Sequence, residues 1–174
     1  TIAMGTAGDP YQYAERRFML SRSCLGAMRP GRNRLAVFTK SDLVTRDADL
    51  LLGLHAKVVM TFSGTGREAS KRCEPQAPLP GERLEALADL VASGGRASAC
   101  VSPVTSLLEG GEGALAEAIA SAGAKEVFAH GLALRDLDAS FAERTGILPS
   151  DKAMEALRSE CARVGLDFNP PFSV

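Results

Sequence analysis

The sequence predicts an α/β fold built on a parallel sheet, and three observations support this. Short apolar runs alternate with longer segments of helical periodicity along the 174 residues. Several of the apolar runs are continuous, as is typical of strands covered on both faces. Glycines and polar residues gather directly after these runs, at the edge where α/β proteins form ligand sites. Periodicity leaves two arrangements open, an open doubly wound sheet and part of a TIM-like barrel.

Five β-strands are expected, and five helices follow them. The predicted strands are Ile2–Ala7, Leu35–Lys40, Lys57–Ser63, Ala97–Pro103 and Val127–Ala133. The predicted helices are Tyr13–Met28, Asp47–Leu54, Glu82–Ser93, Gly113–Ala122 and Ser150–Val164. In the third helix Leu84, Leu87 and Val91 share one face, and Gly94 supplies a stop. Ser150 is a suitable N-cap for the last helix. The chain therefore contains about five βα units.

Composition indicates a single globular domain spanning residues 1–174. Hydrophobic residues make up 45% and charged residues 24% of the chain, and the net charge is -1. A net charge so close to zero gives no reason to expect binding to nucleic acid or to a membrane surface. No apolar run reaches the ~20 residues of a membrane span. The four cysteines fit no zinc or iron–sulfur spacing, so reduced thiols in a cytoplasmic protein are expected.

Polar side chains lie at or just after the ends of three predicted strands and on either side of one proline-rich loop. Asp9 could receive an ammonium or a ribose hydroxyl, or it could form an Asx turn. Lys40 could hold a carboxylate, or it could be a solvated strand end. Ser63 opens a Ser-Gly-Thr-Gly loop that could contact a ligand or simply turn the chain. Glu74 and Arg83 flank a loop stiffened by prolines, which suits either ligand positioning or a plain connection.

A series of motifs in chain order carries a family resemblance. The motifs are Gly5-Thr6-Ala7-Gly8-Asp9-Pro10-Tyr11-Gln12 with Glu15-Arg16-Arg17, Phe38-Thr39-Lys40-Ser41 with Arg46-Asp47 and Asp49-Leu50-Leu51, Phe62-Ser63, Arg72-Cys73-Glu74-Pro75 with Pro78, Pro80 and Arg83-Leu84, and Val101-Ser102-Pro103-Val104. Over about residues 1–134 they resemble the radical S-adenosylmethionine (SAM) superfamily, in particular its spore-photoproduct-lyase-like branch, also labelled DNA repair photolyase.

The resemblance implies a partial (βα)6 TIM-like barrel that binds SAM and a [4Fe–4S] cluster. In that family a Cys-x-x-x-Cys-x-x-Cys loop after the first strand holds the cluster, and SAM is cleaved to a 5′-deoxyadenosyl radical that abstracts hydrogen from the substrate. The implied substrate is nucleic acid or another large molecule, and the implied activity is that of a lyase.

The resemblance also implies roles for individual residues. Gly8 and Asp9 correspond to the region that binds the SAM amino group and ribose, Lys40 to the lysine that pairs with its carboxylate, and Ser63 to a serine that contacts SAM. The backbone of Val101 and Ser102 corresponds to the adenine side of the site. Glu74 and Arg83 correspond to a positioning loop without an assigned role.

The cysteine triad of the family is missing, and this leaves three hypotheses open. The first is the C-terminal portion of a radical SAM enzyme, with barrel units over residues 1–134 and a helical extension over 135–174. It predicts an exposed apolar sheet edge at the first strand. The second is a degenerate, non-catalytic module that binds SAM or a nucleotide and has a covered edge. The third is an open-sheet small-molecule enzyme using Asp9 and Lys40. No metal ligand set is expected in this chain, and the tail Asp167–Phe172 is expected to extend across the barrel.

Overall fold

A computed structural model describes residues 1–64, 66–133 and 140–170. The strands are β1 (Ile2–Met4), β2 (Leu35–Thr39), β3 (Lys57–Phe62), β4 (Arg96–Val104), β5 (Glu126–Gly131) and β6 (Asp167–Asn169). The α-helices are α1 (Glu15–Phe18), α2 (Leu20–Ala27), α3 (Ala48–Gly53), α4 (Arg67–Cys73), α5 (Pro80–Ala92), α6 (Glu112–Ser121), α7 (Ser140–Thr145) and α8 (Asp151–Arg163). Two short 3-10 helices cover Asp42–Asp47 and Ser106–Leu108.

The sheet is entirely parallel, and its strand order is the chain order from β1 to β6. Such an order places every crossover on the same side, which is how a TIM-like barrel is built. The predicted α/β class and the partial TIM-like barrel are thus confirmed. The strand count was wrong, because β6 was not predicted: Asp167–Asn169 is short and polar, and it pairs with β5 through Val127 and Phe168.

The hydrophobic core lies between the helices and one face of the sheet. Val37, Met60, Val101 and Val127 point into this layer and are fully buried. Because side chains alternate along a strand, their neighbours lie on the opposite face of the sheet. In the part of the chain that the structure describes, each helix is too short or too polar to span a membrane.

The predicted helix Tyr13–Met28 is in fact two helices, α1 and α2. The break falls at Met19, which has a left-handed φ of 51°. Beyond the break, the backbone N–H of Ser21 donates to Glu15 Oε2 at 3.1 Å, and the N–H of Arg22 donates to Oε1 at 3.4 Å. The buried Glu15 side chain thus satisfies amides that open the first turn of α2, which sequence periodicity does not reveal.

Other boundaries also differ from the predictions. The expected strand Ile2–Ala7 ends at Met4, and the expected helix Asp47–Leu54 is divided between a 3-10 helix and α3. Helix α4, which was not predicted, ends at Cys73. The start of the C-terminal tail forms β6, while its last residues, 171–174, lie outside the described residues. Among the described strands β1 pairs only with β2, and its side chains are half-buried.

Candidate functional site

A cavity of about 640 Å³ opens at the carboxyl ends of the strands and is called the strand-end cavity below. It is lined by residues that follow or end β1 to β5: Gly5, Thr6, Ala7, Gly8, Asp9, Phe38, Thr39, Lys40, Thr61, Cys100, Ser102, Pro103, Ala129 and His130. Four of the predicted site residues, Gly8, Asp9, Lys40 and Ser102, belong to this lining. Val101 is fully buried on the helix side of β4, so only its backbone could face a ligand.

The turn after β1 is tightly fitted to β2 at one glycine and open at another. Gly5 has a φ of +90°, and a Cβ there would come within 2.1 Å of the carbonyl oxygen of Phe38. Glycine is therefore required at this position. At Gly8 a Cβ would meet only Gln12 Nε2, at 3.8 Å. The protein itself thus leaves room around Gly8, on the side of the turn that lines the cavity.

Asp9 joins the turn to the end of β2. Its Oδ1 accepts from the backbone N–H of Tyr11 at 2.8 Å and from Thr39 Oγ1 at 2.7 Å. Its Oδ2 accepts from the backbone N–H of Lys40 at 2.7 Å. The contact with Tyr11 forms the Asx turn that was one of the two interpretations of Asp9, and the contacts with Thr39 and Lys40 tie this turn to β2. An ionised carboxylate offers about four acceptor positions, so about one remains for a ligand.

Lys40 and Ser63, from neighbouring strand ends, meet at Glu74. Lys40 Nζ and Ser63 Oγ both donate to Glu74 Oε1, and Lys40 Nζ lies 3.4 Å from Ser63 Oγ. Ser63 Oγ also lies 3.2 Å from the carbonyl oxygen of Ser102. A serine hydroxyl has a single proton, and here it is directed at groups of the protein. This contact was not anticipated from the sequence, because Glu74 is 34 residues from Lys40.

Arg83 holds the other oxygen of Glu74. Its Nη2 donates to Glu74 Oε2 at 2.5 Å, its Nη1 to the carbonyl oxygen of Thr61 at 3.0 Å, and its Nε to that of Pro78 at 2.8 Å. The Arg83 side chain is only 1% exposed. Lys40, Ser63, Glu74 and Arg83 are called the Glu74 cluster below. The structure brings these four predicted residues together.

The electrostatics of the Glu74 cluster leave one positive charge available. Burial alone would raise the pKa of Glu74, but hydrogen bonds from Lys40 and Ser63 and the charge of Arg83 outweigh it, so the pKa lies below its usual range. Ionised Glu74 neutralises the buried Arg83, while the Lys40 side chain remains 33% exposed. Lys40 lines the strand-end cavity and also a neighbouring cavity of about 510 Å³ beside Pro75 and Pro78.

Cys100 was not singled out by the sequence, but it lies in the strand-end cavity. Burial raises the pKa of its thiol to about 11, although the charge of Lys40 acts in the opposite direction. The alternation of side chains along β4 could have indicated this position, since Ser102 lies on the same face. Among residues 1–64, 66–133 and 140–170, no group of three metal-ligating side chains is found. The four cysteines lie on four separate elements, α2, α4, β4 and α8.

A second group of charges holds the first helices to the 3-10 helix after β2. Fully buried Asp47 accepts from Arg46 at 2.8 Å through each oxygen, from Arg22 at 3.0 Å and from the Tyr11 hydroxyl at 3.1 Å. Arg46 also donates to Glu15 Oε1 at 2.9 Å. These five residues are called the Asp47 network below. The sequence motifs contained four of these residues but not Arg22, and their mutual contacts are visible only in the structure.

The chain has relatives among known protein sequences. No family model matches the chain. It is 33% identical over 142 residues to the uncharacterized protein Rv2578c of Mycobacterium tuberculosis, covering 78% of this chain and 42% of that protein. It is 34% identical over 104 residues to the uncharacterized protein MJ0683 of Methanocaldococcus jannaschii, covering 59% and 40%. The chain therefore spans about two-fifths of the length of these relatives.

Solved structures of spore photoproduct lyase are similar to this chain. A point mutant of that enzyme superposes with a TM-score of 0.58 at 15% identity, covering 86% of this chain and 53% of that chain. The lyase complexed with dinucleoside spore photoproduct gives a TM-score of 0.58 at 15% identity, covering 83% and 52%. At this identity the similarity establishes the fold. The α/β chain described here thus has the parallel-sheet fold found in spore photoproduct lyase.

Proposed function

We propose that the strand-end cavity binds S-adenosylmethionine and that the chain is part of a radical SAM enzyme of the lyase type. The observation that carries the proposal is Lys40, a cation held at the cavity by ionised Glu74 while the buried Arg83 balances that carboxylate. The shared fold with spore photoproduct lyase and the motif resemblance point to the same ligand. A volume of about 640 Å³ lies within the ordinary range for small-molecule sites.

The described residues fit the amino-acid portion of SAM. The Lys40 ammonium can pair with the ligand carboxylate, since a carboxylate is the anion that a compact cation of this kind holds. Asp9 has about one acceptor position left for the ligand ammonium or a ribose hydroxyl. Gly8 leaves space for close approach, and Ser102 of β4 also lines the cavity.

The iron–sulfur cluster is a different case, because the described residues do not fit it. Cys24 and Cys73 are exposed, Cys161 is buried in the helical layer, and only Cys100 lies at the cavity. We therefore expect the ligands of a [4Fe–4S] cluster outside this chain, in a longer protein of the kind that its relatives represent. In the superfamily that the motifs resemble, SAM bound at such a cluster is the source of a radical that abstracts hydrogen.

The proposed substrate class of the longer protein is nucleic acid. The support is a similarity of fold to a lyase solved with dinucleoside spore photoproduct. The cavity opens at the carboxyl ends of the strands, where barrel enzymes receive their substrates.

Calorimetry with two ligands tests the SAM proposal. Lys40→Ala should weaken SAM binding about tenfold or more, equivalent to about 1.4 kcal/mol, because the carboxylate loses its cation. Binding of 5′-methylthioadenosine, which lacks the amino-acid group, should change little. Lys71→Ala, at an exposed lysine of α4, is the matched control. Absence of SAM binding by the unmodified chain, or equal losses for both ligands, would contradict the proposal.

A further inference from the structure

A basic groove lies at the amino ends of the strands, away from the strand-end cavity. It has a volume of about 440 Å³, and the cations of its lining are Arg32, Arg34, Lys57 and Arg96. An adjoining hollow of about 370 Å³ shares Arg32 and Asn33 with it and adds Arg29. Neither lining contains an aspartate, a glutamate, a phenylalanine or a tyrosine. Arg29, Arg32, Arg34, Lys57 and Arg96 are the cations of this groove.

The register of the sheet places three of these cations on one side of its edge. In the register of the parallel strands, Lys57 on β3 lies opposite Arg96 on β4, and Ala36 on β2 lies opposite Lys57. Arg34 precedes Ala36 by two positions, which places it on the same side of its strand by alternation. Since neighbouring strands lie about 4.8 Å apart, Lys57 and Arg96 stand side by side at the sheet edge, and Arg34 lies on the same side, two residues before the level of Lys57.

Most of these cations have no counter-charge in the described part of the protein. Within residues 1–64, 66–133 and 140–170, Arg29, Arg32, Arg34 and Arg96 form no ion pair. Lys57 differs, because its Nζ lies 2.5 Å from Glu126 Oε1 and 4.6 Å from the centre of the Phe128 ring. The whole chain has a net charge of -1. The groove is therefore a local positive region on a slightly acidic protein.

We propose that the basic groove binds the phosphate backbone of duplex nucleic acid. Four of its five cations are arginines, whose planar guanidinium groups bind phosphate oxygens through two parallel hydrogen bonds. The cations are spread over two adjoining hollows, which fits an extended polyanion better than one compact anion. The lining offers no phenylalanine or tyrosine for stacking, whereas single strands are commonly bound on stacked aromatic rings.

Backbone contact of this kind has a defined signature. It does not depend on base sequence, and its affinity falls steeply with salt because phosphate contacts release condensed counterions. The groove is formed by the amino ends of the strands, whereas the strand-end cavity is formed by their carboxyl ends. The inference is thus independent of the proposed SAM chemistry.

Fluorescence anisotropy with short labelled DNA duplexes tests the proposal. The unmodified chain should bind two duplexes of unrelated sequence equally, with affinity falling steeply between about 50 and 200 mM salt. The triple variant Arg32→Glu, Arg34→Glu and Arg96→Glu should lose at least about tenfold in affinity, and its salt slope should decrease by about one per lost phosphate contact. The Arg→Ala triple variant at the same positions should lose less affinity. Because it perturbs the fold less than charge reversal does, a loss in both variants would not be due to misfolding.

The matched control reverses the same number of charges elsewhere. Lys71→Glu, Lys152→Glu and Arg158→Glu change exposed cations on α4 and α8. Retained duplex affinity in this control, with retained SAM binding in the groove variant, would support a dedicated surface. Equal losses in both triple variants, or no binding at about 50 mM salt, would overturn the proposal. Displacement by polyglutamate as effective as by DNA would also overturn it, in favour of an acidic polypeptide.

Discussion

The Glu74 cluster and the Asp47 network contain the same kinds of side chain but differ in what they leave unused. In the Asp47 network, two arginines and a tyrosine donate to both oxygens of a fully buried carboxylate. In the Glu74 cluster, one carboxylate neutralises a buried arginine and still holds Lys40, which is 33% exposed at two cavities. Unused hydrogen-bonding capacity beside a cavity, more than the presence of charge, distinguishes a candidate binding site from a structural ion pair.

The largest expected effect is on stability in the Asp47 network. Asp47→Asn should lower the free energy of unfolding by about 3 kcal/mol, because Arg22 and Arg46 lose the carboxylate that they share and the amide turns a donor toward groups that themselves donate. The value lies at the low end for buried pairs because Arg22 and Arg46 keep some contact with water. Urea denaturation measures it. Asp49→Asn, at a side chain that is 60% exposed, is the control, and an equal loss there would contradict the structural role.

An effect of similar size is expected in the Glu74 cluster. Glu74→Gln should lower the free energy of unfolding by about 3 kcal/mol, because the buried Arg83 loses the carboxylate that balances its charge. The same variant should also weaken SAM binding, since Lys40 is no longer held at the cavity. Denaturation and calorimetry measure the two effects, and Glu85→Gln on the exposed side of α5 is the control. A variant with unchanged SAM affinity would show that Glu74 has no part in positioning Lys40.

The smallest change is expected on acidification. Because the folded-state pKa of Glu74 lies below its ordinary value of 4.5, its contribution to stability is complete above that pH and is lost as the pH falls through the folded-state pKa. The stability difference between the unmodified chain and Glu74→Gln should therefore shrink in acid. Denaturation over a pH series checks this, and a difference that is constant at all pH values would contradict ionisation of Glu74 as its source.

Much of the fold was predictable because the signals were local. The mainly apolar run Lys57–Phe62 predicts a buried parallel strand, and the spacing of apolar residues predicts the bounds of α5 to within two residues. The short polar strand β6 was not predictable in this way, because its pairing with β5 comes from the placement of α8 before it. The break at Met19 depends on Glu15, whose role as an acceptor for the α2 amides exists only in the folded chain.

The candidate site shows the same division. Sequence motifs alone identified the turn at Asp9, the strand-end Lys40 and Ser63, and the proline-rich loop flanked by Glu74 and Arg83, because each follows a recognisable local pattern. Only the tertiary structure decided that four of them form one hydrogen-bonded cluster and that Asp9 mostly supports its own turn. The physical reason is that strand pairing brings together residues distant in the chain, and hydrogen bonds between them cannot be read from local periodicity.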